Sequence, residues 1–352
     1  MMAANREVVE LMPAAGGPMT VRIPVTGIDQ VGQARRAAHS AAAAAGLVAE
    51  TAGVVALIAT ELATNLARHA QQGALMIRSM DTDDGRMGVE LVAVDKGPGI
   101  RDIGRAMRDG FSTVGSAGKG LSAISRNASE FDCYTTAESG SAIVARVYAP
   151  GLRDRRAQWY QQGVVCLPLS GQAVCGDAWM VETSGTALQV VMIDGLGHGL
   201  EAAVAGSEAI RVMRQYAGAG PADAMRAMHG ALRATRGAAA AVAMVDTATR
   251  RIRFAGIGNI TAAVGGVDSM RRMVSHNGIV GHHVRSVREF EYEWPPHGYL
   301  ILHSDGLSAR WSLDAYPGLI GRDPAIVAGV LHRDFGRPND DASILALRHV
   351  AG

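Results

Sequence analysis

Residues 54–70 read VVALIATELATNLARHA, and this stretch predicts the helix around which the N-terminal half of the chain is built. Glu61, Asn65 and His69 stand four residues apart, so they share one face of that helix. The face is either ordinary solvated surface or the wall of a site for a polar ligand. Apolar residues recur at helical spacing and predict a stripe that faces a core, at Val55, Ile58, Leu62 and Leu66.

Two glycine clusters follow the predicted helix, VDKGPGI at 94–100 and GSAGKGL at 115–121. The first cluster begins where a predicted strand ends in Asp95, whose carboxylate can accept a hydrogen bond from an exocyclic amine such as that of adenine. Gly97 and Gly99 let the backbone turn and approach a ring closely. This cluster predicts the base-binding wall of a nucleotide pocket.

The second cluster leads into another predicted helix through Gly115, Gly118 and Gly120. Backbone amides at a helix N-terminus suit a phosphate group, and the cation of Lys119 adds positive charge. Lys96 of the first cluster is the other lysine of the sequence and could also meet phosphate. Residues 110–120 are too irregular for a regular element and predict a lid.

Two polar residues of the predicted helix supply chemistry for such a pocket. The amide oxygen of Asn65 can ligate a magnesium ion that bridges phosphates. The carboxylate of Glu61 can accept a proton from an attacking hydroxyl. Each glycine cluster alone is more simply a turn, but the helix and both clusters in this order predict a nucleotide pocket.

These three stretches, ELATNLARHA, VDKGPGI and GSAGKGLSAI, resemble the N box and the two glycine boxes of the GHKL ATPase superfamily, of gyrase, chaperone and histidine-kinase type. The spacing of the boxes is similar to that of the anti-sigma-factor serine kinases, in particular the switch kinase of bacterial stressosomes. The resemblance covers about residues 20–149. It implies an ATP-binding α/β sandwich of Bergerat type, bound Mg²⁺, and a target serine or threonine on a STAS-domain antagonist protein.

The resemblance also implies roles for single residues. Glu61 would be the general base, Asn65 the magnesium ligand and Asp95 the contact to adenine. The loop and lid around ATP would be formed by Gly97, Gly99, Gly115, Gly118, Lys119 and Gly120.

The second half of the chain places aspartates at the ends of predicted strands, in CGDAW, IDGLGHG, SDGL and NDDAS. An isolated Asp-Gly pair is usually a turn, but several strand ends can gather their carboxylates in one place. Clustered carboxylates repel each other unless cations neutralise them, and Mg²⁺ or Mn²⁺ are the natural partners. Two such ions can hold a water, lower its pKa and aim it at phosphorus. The carboxylates concerned are Asp177, Asp194, Asp305, Asp340 and Asp341.

These motifs resemble the metal-dependent, PPM-type serine/threonine phosphatases of the bacterial SpoIIE branch, over about residues 160–350. The resemblance implies an α-β-β-α sandwich that binds two Mg²⁺ or Mn²⁺ ions. His198 either packs at a helix start or acts behind the ligands. Of the adjacent residues Asp340 and Asp341, Asp340 is assigned as the metal ligand and Asp341 is the weaker candidate of the two. The implied metal ligands are Asp177, Asp194, Asp305 and Asp340, with the backbone carbonyl of Gly195.

Composition limits the remaining possibilities. The 352 residues suggest two domains, and the formal net charge of +1 gives no strong field for nucleic acid or an anionic membrane. Three cysteines without metal-ligand spacing predict buried, reduced thiols. The absence of a basic-then-apolar signal, together with the thiols, predicts a cytoplasmic protein.

The sequence therefore predicts an α/β (α+β) protein with an ATP-binding kinase domain at 20–149, a linker at 150–159 and a phosphatase domain at 160–350. The predicted function is a bifunctional switch regulator that phosphorylates and dephosphorylates STAS-domain partners. One alternative is a phosphatase whose ATP domain only senses nucleotide. Another is a domain that binds ATP and a partner, such as a sigma factor, without phosphate transfer; the presence of both Glu61 and Asn65 favours transfer.

Overall fold

The computed structural model describes residues 16–81, 85–107, 120–137, 139–150, 159–267 and 269–350. In the N-terminal half, the predicted helix at 54–70 is confirmed and begins a few residues earlier. The elements of this half are β1 (Val21–Val25), α1 (Asp29–Ala44), α2 (Ala49–His69), β2 (Gly73–Asp81), β3 (Met87–Asp95), α3 (Ile103–Ala106), α4 (Gly120–Asn127), β4 (Glu130–Thr136) and β5 (Gly140–Tyr148).

Strands β1 to β5 form one antiparallel sheet in the order β1-β2-β3-β5-β4. The helices α1, α2 and α4 share a core with one face of this sheet, because alternate strand residues such as Leu75, Leu91 and Ala93 join Leu62 and Ile124 there. This is the α/β sandwich that the sequence predicts for the N-terminal half.

The second half is built mainly from antiparallel strands, with three helices between them along the chain. Its elements are β6 (Tyr160–Leu167), β7 (Asp177–Ser184), β8 (Ala187–Gly195), α5 (Leu200–Gln215), α6 (Pro221–Ala231), β9 (Ala238–Asp246), β10 (Arg251–Ile257), β11 (Thr261–Gly265), β12 (Met270–Arg272), β13 (Ser275–His276), β14 (Gly278–Ile279), β15 (His283–Val284), β16 (Phe290–Glu293), β17 (Tyr299–His303), α7 (Pro324–Phe335) and β18 (Ala342–His349).

These strands form two larger sheets, β13-β10-β9-β8-β7 with β16 beside β10, and β12-β11-β17-β18-β6. One core contains residues of both sheets, among them Val190, Phe254 and Leu345. A second core lies between α5, α6 and the sheet of β8 and β9, and it includes Met213 and Met228. The sequence missed the short strands β12 to β16, because runs of two to four residues carry too little periodicity to be recognised.

Contacts group the chain into two compact units, one of Met19–Ala157 with Leu313–Asp334, the other containing Gln158–Ser312 and Phe335–Gly352. The predicted domain boundaries were drawn from motifs rather than contacts, and they stay predictions. Residues 151–158 of the predicted linker lie outside the described residues. The three cysteines are buried and free of disulfides, as predicted. No helix in the described part of the chain has the length and apolar character that a membrane span requires.

The face of the first sheet that points away from α1 and α2 carries a row of charges. Arg78, Glu90, Arg146 and Glu130 are register partners on four neighbouring strands. Glu90 accepts from Arg78 at 2.9 Å and from Arg146 Nε at 2.8 Å, and Glu130 accepts from Arg146 at 3.0 Å. Arg78, Glu90 and Arg146 are buried, so this face is covered by other parts of the unit.

The core of α2 gives a stability prediction with a matched control on the same helix. The substitution Leu62→Ala removes a fully buried side chain and should lower the free energy of unfolding by about 2–5 kcal/mol. Leu57→Ala, at a position with 44% exposure, should change it by less than about 0.5 kcal/mol. Urea denaturation of both full-length variants, followed by circular dichroism, checks this, and equal losses would contradict the assigned core face.

Candidate functional site

Helix α2 holds two of the predicted nucleotide-site residues one turn apart. Gly120, the first residue of α4, packs directly beside them: a Cβ atom built on it would lie 3.1 Å from Asn65 Oδ1 and 3.6 Å from Glu61 Oε2. Gly120 is held close to α2 because α2 and α4 share one hydrophobic core, which contains Leu62 of α2 and Ile124 of α4. The structure therefore brings Glu61, Asn65 and the end of the second glycine cluster together.

Asp95 ends β3 and begins the first glycine cluster. Its Oδ1 accepts the Gly97 N–H at 2.6 Å, and the remaining lone pairs of the carboxylate can accept a further donor such as an exocyclic amine. Burial raises the pKa of Asp95, and the Gly97 N–H and the charge of Arg333 oppose that rise. Gly99 has a φ of +71° and packs against the Thr136 carbonyl, so a side chain there would be strained.

Three predicted lid residues, Gly115, Gly118 and Lys119, lie outside the residues that the structure describes. Their predicted roles at the phosphates stay predictions. Lys96 lies within the described part, and its ammonium group is 3.3 Å from Asp334 Oδ1. It is therefore held by a carboxylate.

The acidic site begins with a cross-strand pair, because Asp177 on β7 and Asp194 on β8 are register partners. Asp177 is buried, and its Oδ2 accepts the hydroxyl of Ser304 at 2.6 Å. The Ser304 oxygen in turn accepts the N–H of Ser343 at 3.0 Å. Burial and the charge of Asp194 raise the pKa of Asp177 well above its ordinary value.

Asp194 is the centre of the acidic cluster. Burial, followed by the charges of Asp305 and Asp340, raises its pKa to about 7. Burial and Asp340 also raise the pKa of Asp305, whose Oδ2 accepts from Asn259 at 2.6 Å. The charges of Asp305 and Asp340 thus act on Asp194, and the charge of Asp194 acts on Asp177. That the strand ends gather all four carboxylates at one metal centre stays a prediction.

The donors of this cluster fit a hard divalent cation. They are all oxygens, and Asp194 Oδ2 is buried without a hydrogen-bond partner, which a cation would satisfy. Across the described residues, no three His, Cys, Asp or Glu side chains already converge at coordination distances. The assignment of Asp177, Asp194, Asp305 and Asp340 as metal ligands stays a prediction.

Two neighbours of the cluster have packing roles that the geometry makes plain. Asp341 uses both carboxylate oxygens on backbone amides, accepting Leu169 N–H at 2.6 Å and Gly176 N–H at 2.8 Å. This agrees with the choice of Asp340 over Asp341 as a ligand. Gly195 donates its N–H to the Gly176 carbonyl at 3.2 Å and packs against the Ala202 carbonyl, so it has no room for a side chain. His198 is exposed.

Sequence reasoning missed the polar residues that support the aspartates. Ser304 bonds Asp177, Asn259 bonds Asp305, and Arg337 donates to the Asp305 carbonyl at 3.1 Å. Only Ser304 had a local signal, since it directly precedes Asp305 at a strand end. Asn259 lies 46 residues from its partner, and no pattern in the sequence links the two.

Comparison with known proteins places both halves in known families. Residues 184–350 match the family described as Stage II sporulation protein E (SpoIIE). Residues 26–147 match the histidine kinase-like ATPase domain. The chain therefore combines a histidine kinase-like ATPase domain with a SpoIIE domain, which confirms both resemblances.

Individual relatives agree with each half. The serine/threonine-protein kinase RsbT of Bacillus subtilis (strain 168) is 41% identical over 86 residues, or 24% of this chain and 64% of that protein. The match thus spans slightly less than two thirds of this curated relative. A solved structure described as "The bacterial stressosome: a modular system that has been adapted to control secondary messenger signaling" has 26% identity and a TM-score of 0.50, and covers 54% of this chain and 99% of that chain.

A second solved structure, of RsbX in complex with magnesium, has 18% identity and a TM-score of 0.49, and covers 54% of this chain and 95% of that chain. A TM-score of 0.49 reports a similarity between the two structures and supports no assignment of residues in this chain.

The Ser304 hydroxyl gives a prediction that tests the acidic cluster. Ser304→Ala leaves Asp177 Oδ2 and the Ser343 N–H without their partner, so Asp177 loses its fixed orientation. Mn²⁺ affinity, measured by titration calorimetry, should fall about 10- to 100-fold. Ser304→Thr keeps the hydroxyl and should restore most of the affinity, whereas Ser308→Ala on the neighbouring turn should leave it unchanged. Equal affinity in wild type and Ser304→Ala would contradict the role of Ser304 as a positioning residue.

Proposed function

We propose that this protein is a bifunctional switch regulator that uses ATP to phosphorylate, and a metal centre to dephosphorylate, serine or threonine residues of STAS-domain partners. The observation that carries the proposal is the presence on one chain of two polar groups, Glu61 and Asn65 beside Gly120, and in the other half Asp194 with Asp177 as its cross-strand partner and its pKa raised by burial and by the charges of Asp305 and Asp340. The fusion of a kinase-like ATPase domain with a PP2C-type phosphatase domain supports it.

In the kinase half, Glu61 would accept the proton of the target hydroxyl while Asn65 holds a magnesium ion on the phosphates of ATP. The Asp95 carboxylate would accept from the adenine amine through a lone pair that the Gly97 N–H leaves open. Gly97, Gly99 and Gly120 keep the pocket walls free of side chains. Gly115, Gly118 and Lys119 would close over the phosphates.

In the phosphatase half, Asp177, Asp194, Asp305 and Asp340 would hold two Mg²⁺ or Mn²⁺ ions, with the carbonyl of Gly195 as a further ligand. The bound ions would supply a water of lowered pKa for attack on the phosphorus of phosphoserine or phosphothreonine. Ser304 and Asn259 each occupy one oxygen of a candidate ligand and orient the other. Arg337, which donates to the Asp305 carbonyl, would contact the substrate phosphate.

The partner class is proposed from the relatives. The protein similar to the N-terminal half is named a serine/threonine-protein kinase, and a structure similar to more than half of the chain comes from work on the bacterial stressosome. We extend these to STAS-domain antagonist or scaffold proteins in the cytoplasm, without a nucleic-acid or membrane partner. Shared targets for the two activities follow from the fusion alone.

One observation favours a second function, a phosphatase whose ATP domain senses nucleotide without transferring phosphate. Arg333, from the part of the sequence matched by the phosphatase family, donates to the Asp95 carbonyl at 2.6 Å. Such a contact links the proposed adenine site to the part of the sequence that matches the phosphatase family, which a nucleotide sensor requires and a kinase does not. Phosphate transfer from labelled ATP to a STAS-domain protein separates the two functions.

The kinase prediction concerns Glu61. Glu61→Gln should lower phosphate transfer to a STAS-domain protein by at least about 100-fold, because it removes the proton acceptor while keeping the shape of the side chain. ATP affinity, measured by titration calorimetry, should stay within about threefold. The phosphatase activity of the same variant is the internal control and should be retained. No transfer by the wild type to any STAS-domain protein, with ATP bound, would favour the sensor.

The phosphatase prediction concerns Asp305. Asp305→Asn should lower Mn²⁺-dependent hydrolysis of a phosphoserine peptide by at least about 100-fold, because an amide cannot balance cation charge. Its kinase activity should be unaffected, so Glu61→Gln and Asp305→Asn serve as controls for each other. Removing divalent ions with EDTA should abolish wild-type hydrolysis, and adding Mn²⁺ should restore it. Metal-independent hydrolysis would refute the assignment.

A further inference from the structure

Helix α7 belongs to one half of the chain by sequence and to the other by contacts. It lies between Asp305 and Asp340, two candidate metal ligands, and within residues 184–350 that match the phosphatase family. Contacts, however, place Leu313–Asp334 in the unit of the ATP-binding sheet. Gly329 of α7 packs so closely on that sheet that a Cβ atom would lie 3.1 Å from the side chains of both Val92 and Val94.

The start of α7 is anchored by buried charge. Arg146 donates through both terminal nitrogens to Asp323, at 2.6 Å each, which is the bidentate geometry of a strong ion pair. The Asp323 N–H donates to Asp132 Oδ2 at 2.8 Å, and Arg322 lies 3.2 Å from Asp132 Oδ1. The beginning of the helix is therefore fixed to strands β4 and β5.

The end of α7 is bonded to the first glycine cluster. Arg333, whose side chain is 5% exposed, donates to the backbone carbonyl of Asp95 at 2.6 Å. Its other terminal nitrogen donates to Asp334 at 2.6 Å, and Asp334 is paired with Lys96 at 3.3 Å. Two successive residues of the helix thus hold Asp95, the proposed adenine contact, and Lys96, the residue that follows it.

Directly after these residues, the chain meets the turn that follows Asp305. The Phe335 carbonyl accepts the Ser308 N–H at 2.9 Å, and the Arg337 N–H donates to the Gly306 carbonyl at 2.8 Å. The Arg337 guanidinium also donates to the Asp305 carbonyl. Phe335 is two positions beyond Arg333, so little chain is available to absorb a displacement.

We infer that α7 couples the two sites: a nucleotide bound at Asp95 changes the phosphatase activity through Arg333, the end of α7 and the turn 305–308. The inference rests on the proposed phosphatase function. The nucleotide can change the activity only if it binds with different affinity to two arrangements of α7 and the turn 305–308. Allosteric coupling of this kind typically changes an affinity by about 5- to 150-fold.

The test measures hydrolysis of a phosphoserine peptide by the full chain, with and without saturating non-hydrolysable adenylyl imidodiphosphate, at constant free Mn²⁺. The wild-type rate should change at least about fivefold. In Arg333→Gln, normalised to its own basal rate, the nucleotide effect should fall below about twofold. Lys96→Gln changes a side chain with 43% exposure and should reduce the nucleotide effect less than Arg333→Gln does. Because this position is more exposed, the variant should fold even where Arg333→Gln does not. Arg310→Gln removes an exposed charge from the segment between Asp305 and Asp340 and should keep the full nucleotide effect.

Hydrogen–deuterium exchange supplies a readout that needs no enzymatic activity. The nucleotide should change exchange in peptides that span 303–312 in the wild type and in Arg310→Gln, and not in Arg333→Gln. Bound nucleotide with unchanged exchange there overturns the coupling, as does an equal nucleotide effect in wild type and Arg333→Gln. Absence of hydrolysis with every metal would instead refute the phosphatase function, while the exchange experiment would still decide the coupling.

Discussion

Arg146 carries its positive charge almost completely out of contact with water, and the arrangement of the N-terminal unit follows from how that charge is balanced. A guanidinium in this position requires carboxylates on several sides. Glu90 and Glu130 reach it across neighbouring strands, and Asp323 reaches it from a distant part of the chain. Removing one partner of such a network costs roughly 3–5 kcal/mol, since the remaining charge is left buried. The sheet and the segment before α7 are therefore held as one piece.

The acidic cluster in the other half also holds charge away from water, but its side chains at Asp194, Asp305 and Asp340 all carry the same sign. Around Arg146 the protein supplies both signs, so the charges are satisfied internally. Around Asp194, burial and then the charges of Asp305 and Asp340 raise the pKa to about 7, and the hydrogen bond from the Asp305 N–H opposes only part of that rise. A fold tolerates such a cluster when a ligand from outside completes it. This contrast separates a structural network from a site for cations.

Short sequence patterns predicted most of the helices and longer strands of the fold, and part of the candidate site. Helix α2 and the strands β3, β8 and β17 were predictable, because their periodicity and terminal residues are contained in short stretches. The gathering of all four aspartates at one metal centre is a prediction from the strand ends. The Arg146–Asp323 pair was not, because its members lie 177 residues apart and neither belongs to a motif. Ser304 and Asn259 were missed because a supporting hydrogen bond leaves no spacing rule in the sequence.

The position of α7 bears on what counts as a domain in this chain. Motifs assign the helix to the phosphatase half, yet Arg146, Asp132, Asp95 and Lys96 of the ATP-binding half bond it or the residues before it. Strands β3 and β5 are buried on both faces, and α1 and α2 cover only one of them. An ATP-binding half without residues 313–334 would expose Val92 and Val94 and would leave Arg146 without Asp323. The unit that folds is thus larger than the unit that the motifs define.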